Sequence, residues 1–149
     1  MTANHPMLSA LGTRVLFTSE FDDDWIPRSL RIIARYSSHY DLKPLVLLPH
    51  DIQLEDYEPF FEVMVARAAE RALADLLDEE CDGEPRLVVI DLAPEPYLDD
   101  FSEWPSFHRA LRDGVPAHSM LVVESPETEY LSAEQFDEHL FLRSRAAVR

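Results

Sequence analysis

A doubly wound α/β architecture is what this sequence predicts, and three observations carry it. Four short apolar runs rich in Val, Leu and Ile are spread along the chain: Arg14–Ser19 (RVLFTS), Pro44–Leu48 (PLVLL), Leu87–Leu92 (LVVIDL) and Met120–Glu124 (MLVVE). The last three are nearly continuous, as strands of a parallel sheet covered on both faces are, whereas half-exposed strands alternate. Stretches with helical patterning lie between the runs, and alternating strands and helices assemble as a parallel sheet with helices on both faces.

The expectation is one acidic, flavodoxin-like domain over residues 1–149, with a mostly parallel sheet of four to five strands and residues 1–12 as a flexible start. After the first strand, Asp24 is placed to cap a helix with Pro27 in its early turn, where proline is tolerated. Ile26, Leu30 and Ile33 give that helix a buried stripe.

The stretch Phe60–Leu77 reads as one long helix. Phe60, Phe61, Met64, Val65, Ala68, Ala69, Ala72, Leu73, Leu76 and Leu77 recur in pairs every fourth residue, and Glu62, Arg67, Glu70, Arg71 and Asp75 fill the other face. So wide a stripe predicts a self-association face, and hence a homodimer. The acidic stretch Asp78–Glu84 with Pro85 reads as a loop. A third helix is expected over Asp99–Asp113, interrupted at Pro105, and a short fifth strand around Tyr130–Leu131. A last helix runs from Ser132 to about Arg145, with Ser132 and Gln135 as a capping box and Phe136 and Leu140 facing inward.

Charge narrows the function. The chain carries 29 Asp and Glu against 13 Lys and Arg, a formal charge of −16, and its only lysine is Lys43. Such a surface is ill suited to nucleic acid or an anionic membrane, where basic side chains must displace counterions. At 46% hydrophobic residues the chain is nevertheless apolar enough to fold. No run approaches the ~20 apolar residues of a membrane span, and the start MTANHPMLSALGTRVLF lacks the pattern of a secretory signal. With Cys81 the only cysteine, no internal disulfide or cysteine-built zinc site is available. The expected compartment is the cytoplasm. Gly12, Gly83 and Gly114 are isolated, so there is neither a P-loop nor a dinucleotide fingerprint.

Ligands of open α/β sheets sit beyond the carboxyl ends of the strands. Those ends carry Glu20, Asp22, Asp23 and Asp24 after the first strand, Pro49 and His50 after the second, Asp91 in the third, and Glu124 and Ser125 at the fourth. Asp22, Asp23 and Asp24 suit a helix N-terminus, which favours anions; together with Asp91 they also suit a hard cation such as Mg²⁺. A lone carboxylate within VVIDLAP is costly to bury.

The acidic cluster, the segment LVVIDLAPEP, the VVES run and the tail YLSAEQFDEHLFLRSR together resemble response-regulator receiver domains. The resemblance implies that Asp22 and Asp23 hold Mg²⁺, that Asp91 accepts phosphate and that Ser125 senses it. The receiver lysine has no counterpart, Ala133 or Glu134 standing near its place. What is implied is a degenerate, pseudo-receiver domain that regulates by contact.

Catalytic patterns are missing. There is no GxSxG elbow, and His5, His39, His50, His108, His118 and His139 show neither HxH nor HExxH spacing. No enzyme activity and no cofactor are therefore expected, Mg²⁺ entering only with the receiver reading. Arg28, Arg31, Arg35 and His39 form a basic stripe on the first helix; it either pairs with the chain's own carboxylates or receives an acidic or phosphate-bearing ligand. Two aromatic residues sit among acids: Trp25 beside Asp22, Asp23 and Asp24, and Trp104 beside Asp99, Asp100 and Glu103. Such sets suit an interface for Lys- or Arg-rich surfaces, with cation–π contact and electrostatic steering. The leading expectation is a non-enzymatic module that binds and neutralises a basic protein, such as a toxin, in the manner of immunity proteins and antitoxins.

Overall fold

The computed structural model describes residues 12–20, 22–48, 54–65, 73–93, 118–126 and 136–142. Six strands form one sheet: β1 (Arg14–Ser19), β2 (Lys43–Leu48), β3 (Glu62–Val65), β4 (Arg86–Asp91), β5 (Ser119–Glu124) and β6 (Glu138–Leu142). The helices are α1 (Trp25–Tyr40), α2 (Leu54–Tyr57) and α3 (Leu73–Cys81). The strand order is β3-β2-β4-β5-β1-β6, and every neighbouring pair is parallel.

Each of the four apolar runs is a strand, because continuous Val, Leu and Ile let both faces of the sheet be buried. β4 and β5 are buried along their whole length, at the centre. Alternation sends Val15, Phe17, Val46, Leu48, Leu87, Val89, Leu121 and Val123 to one face, where Ile32, Ile33 and Tyr36 of α1 and Tyr57 of α2 cover them. Leu16, Leu45, Leu47, Val88, Ile90, Met120 and Val122 point to the other face, covered by Leu77 and Cys81 of α3. The chain moves from β1 towards β3 over the α1 face and returns from β3 to β4 over the α3 face. Right-handed crossovers demand this reversal of side with direction. The fold is thus α/β and flavodoxin-like in its layers. Its order departs from the 2-1-3-4-5 of flavodoxin, since β4 and β5 lie between β1 and β2.

Two expected helices are corrected. Phe60–Leu77 is not one helix: Glu62–Val65 pairs in parallel with β2 as an edge strand, and among the described residues helix follows only as α3, Leu73–Cys81. Val63 and Val65 are β-branched and favour extended backbone, and the edge of β2 offers their N–H and C=O groups partners. The continuous stripe assigned to a homodimer face therefore does not exist. Leu77 lies in the core instead, while Phe60 is 65% exposed in the turn before β3. Likewise, Glu138–Leu142 is a strand parallel to β1 rather than part of a helix from Ser132 to Arg145. Phe136 packs on the α3 face and Leu140 on the α1 face, so they do not share one inward stripe.

The acidic loop begins later than expected. α3 runs through Cys81, and Asp82 and Gly83 make the turn with positive φ (49° and 79°). The expected strand at Tyr130–Leu131, the helix at Asp99–Asp113 and the start at residues 1–11 lie outside the described residues. No described helix is long and apolar enough to cross a membrane.

Candidate functional site

Strand alternation also decides which polar side chains meet. Ser19 at the end of β1 and Asp91 at the end of β4 continue the rows that face α1; Ser125, one residue past β5, follows the same alternation. The first turns of α1 answer with Arg28 and Ser29 instead of apolar residues, and α2 adds Tyr57. All six are buried. Polar groups withdrawn from water cost free energy unless they are bonded, so their partners decide what this cluster does.

Arg28 ties α1 to the end of β1. Its Nε donates to Ser19 Oγ at 3.0 Å, and its Nη2 donates to Glu20 O at 2.7 Å and to Asp22 Oδ1 at 2.9 Å. The Arg28 side chain is 8% exposed against 30% for Asp22. Asp22 Oδ1 also accepts the Asp24 N–H at 3.0 Å, whereas its Oδ2 is buried without a hydrogen bond among the described residues. Asp24 occupies the N-cap position of α1, but its side chain makes no capping bond. The expected cap is therefore replaced by a clip between Asp22 and Arg28, the residue that leaves the basic stripe by turning inward. Arg31 and Arg35 stay exposed, and among the described residues neither makes an ion pair. Arg35 and His39 line a shallow groove with Tyr36, whose hydroxyl donates to Glu138 Oε1 at 2.8 Å.

Asp91 is held on the other side of the cluster. Tyr57 Oη donates to Asp91 Oδ2, and the Ala93 N–H donates to Oδ1 at 2.9 Å. Burial pushes the Asp91 carboxyl up to about 6, against the opposing pull of these two hydrogen bonds. Burial and the Asp91 charge together raise the Tyr57 phenol well above its ordinary value. Ser29 Oγ lies near enough to favour ionised Tyr57, yet it makes no well-formed hydrogen bond.

Beside this buried cluster an open pocket is lined by Asp22, Asp23, Trp25, Ile26, Pro27 and Asp56. Trp25, half-buried, thus sits among three carboxylates from two elements. Asp23 and Asp24 are exposed, and Asp24 does not line the pocket. Asp56 is the residue that sequence reasoning missed. It lies 31 positions beyond Trp25 on a single-turn helix, and only its neighbour Tyr57, an aromatic within an acidic stretch, signalled that this segment packs inward.

Of the carboxylates that the receiver resemblance assigns to Mg²⁺ and phosphate, Asp22 is held by Arg28 and Asp91 by Tyr57, while Asp23 is exposed. Among the described residues no three His, Cys, Asp or Glu side chains are grouped to hold a metal ion. The second aromatic set, Asp99, Asp100, Glu103 and Trp104, lies outside the described residues, as do His5, His50 and His108. His118 Nδ1 accepts the Arg86 N–H at 3.0 Å, and His139 Nε2 is 2.9 Å from Thr18 Oγ1, so both are engaged within the sheet. No family model and no curated protein matches this chain.

Proposed function

We propose that this chain is a non-catalytic module that binds and neutralises a basic protein, such as a toxin, by receiving a Lys- or Arg-bearing surface at the Trp25 pocket. One observation carries the reading: Asp22, Asp23 and Asp56 line a single open pocket together with the half-buried Trp25. An arginine stacked on Trp25 would gain cation–π attraction of roughly 0.5–2 kcal/mol and bidentate bonding to a carboxylate. Asp23 and Asp56 are the acids free for that role, since Asp22 already serves Arg28. The overall charge of −16 would speed encounter with a cationic partner. The reading takes the cytoplasm as the compartment and requires no cofactor.

The test is titration with an oligoarginine peptide, read by tryptophan fluorescence at low and high salt. The variant Asp23→Asn/Asp56→Asn should bind at least fivefold more weakly. The variant Glu80→Gln/Glu84→Gln, which removes the same charge from exposed positions elsewhere, should bind nearly as the parent does. Equal weakening in both would reduce the pocket to general negative charge and refute the assignment.

A contact-regulated, receiver-like signalling domain is the second reading. It is favoured by Asp91, which ends β4, and Ser125, which directly follows the neighbouring parallel strand β5. Its Mg²⁺-binding version predicts a change in Trp25 fluorescence at millimolar Mg²⁺, and a flat titration rules that version out.

A further inference from the structure

We propose that the Tyr57–Asp91 contact is a proton-operated latch on α2, which carries Asp56 into the Trp25 pocket; the meaning of the pocket rests on the function proposed above. α2 is a single turn, and Tyr57 is its one fully buried side chain, with Leu54 only partly covered. Asp56, the residue immediately before Tyr57, lines the pocket. Whatever loosens Tyr57 therefore displaces one of the three carboxylates around Trp25.

The groups around Asp91 set the sign. From α2 come Tyr57 and, at longer range, the negative Asp56, which also opposes ionisation of Asp91. From α1 come Ser29 beside Tyr57 and Arg28, which is committed to Ser19, Glu20 and Asp22. On β5 the residue in register is the apolar Val123, and alternation turns Glu124 to the opposite face. No cation is paired with Asp91 among these neighbours. In the protonated state the carboxyl is neutral and costs little to bury. Its proton can be donated to Tyr57 Oη while the phenol donates to Ser29 Oγ, a hydroxyl that lacks a well-formed hydrogen bond in the present arrangement. In the ionised state a charge is shut away from water, and lifting the single turn of α2 is the smallest movement that hydrates it. The carboxyl titrates at about 6 when closed over. Taking the ordinary carboxylate value for the opened state, linkage predicts about tenfold more opening at pH 7.5 than at pH 5.

Hydrogen exchange of the Glu58, Phe60 and Phe61 amides, which donate to Leu54 O and Tyr57 O, reads this directly in the chain without any partner. After correction for intrinsic chemistry, these amides should open about tenfold more at pH 7.5 than at pH 5, and Asp91→Asn should abolish the difference. Tyr57→Phe removes a bond that favours ionised Asp91 and should move the midpoint upward. This second variant decides the matter if Asp91→Asn does not fold. Opening that is independent of pH, that keeps its pH dependence in Asp91→Asn, or whose midpoint is unmoved by Tyr57→Phe overturns the latch. Because no partner is present, a failure of oligoarginine binding leaves this result standing, and the reverse holds equally.

Discussion

Tyr57 and Asp91, 34 residues apart in sequence, share a hydrogen bond from which solvent is excluded. The contact joins the loop side of β2 to the carboxyl end of β4. It places an ionisable pair where open α/β sheets ordinarily offer a ligand crevice, and it fills that space with protein.

Stability should reflect the buried carboxyl. A folded-state value of about 6 against an ordinary 3.8 means that the folded chain holds the proton more tightly. The associated stabilisation is complete below pH 3.8 and is lost as the pH rises through about 6, to the extent of about 3 kcal/mol. Asp91→Asn should therefore melt several degrees above the parent at pH 8, with the gap closing towards pH 4. A gap that is the same at both pH values would contradict the assignment.

Arg28 should be the costliest polar residue to remove. Arg28→Ala removes the donor to Ser19 Oγ, Glu20 O and Asp22 Oδ1 under the first turns of α1, and losing a buried charged donor of this kind costs about 1.5–3 kcal/mol. Arg28→Lys should recover only a part, because a single ammonium cannot reproduce the fork that reaches all three acceptors. By contrast Arg31→Ala and Arg35→Ala should each stay within about 0.5 kcal/mol of the parent. Urea denaturation of the four variants measures the contrast.

The division of Phe60–Leu77 into an edge strand and a helix has its own consequence. Leu77→Ala removes a fully buried side chain and should destabilise the fold by about 2–5 kcal/mol. Phe60→Ser, at an exposed turn, should change stability by less than about 1 kcal/mol. Sedimentation velocity should give the same mass for the Phe60→Ser chain and the parent. A dimer lost with Phe60 would show that this exposed turn is a self-association face.

How far the site was legible follows from what each residue's neighbours in sequence can reveal. Asp91 stood out because carboxylates rarely interrupt a run such as VVIDL without a bonded partner. Trp25 stood out among its acids, and Asp22 and Asp23 prove to line its pocket. Arg28 looked like the first member of an exposed stripe with Arg31 and Arg35. Helical spacing places all three near one face, but only the approach of Ser19 and Glu20 makes inward rotation worthwhile for the first. The strands β3 and β6 were misread for a related reason. At four and five residues they are too short for periodicity to separate strand from helix, and both lie at the edges of the sheet, where burial patterns are mixed.

By itself the chain determined the four central strands, the first helix and the layered α/β class, because continuous apolar runs and a helical stripe record burial on faces defined by local geometry. Its charge and its scattered glycines likewise needed no structure to exclude phosphate-cradling loops. Only the tertiary structure decided the strand order, the two edge strands, the inward turn of Arg28 and the meeting of Asp56 with Trp25 and of Tyr57 with Asp91. Those depend on contacts between residues far apart in the chain, whose energies arise from pairing and desolvation and leave no periodic mark on the sequence.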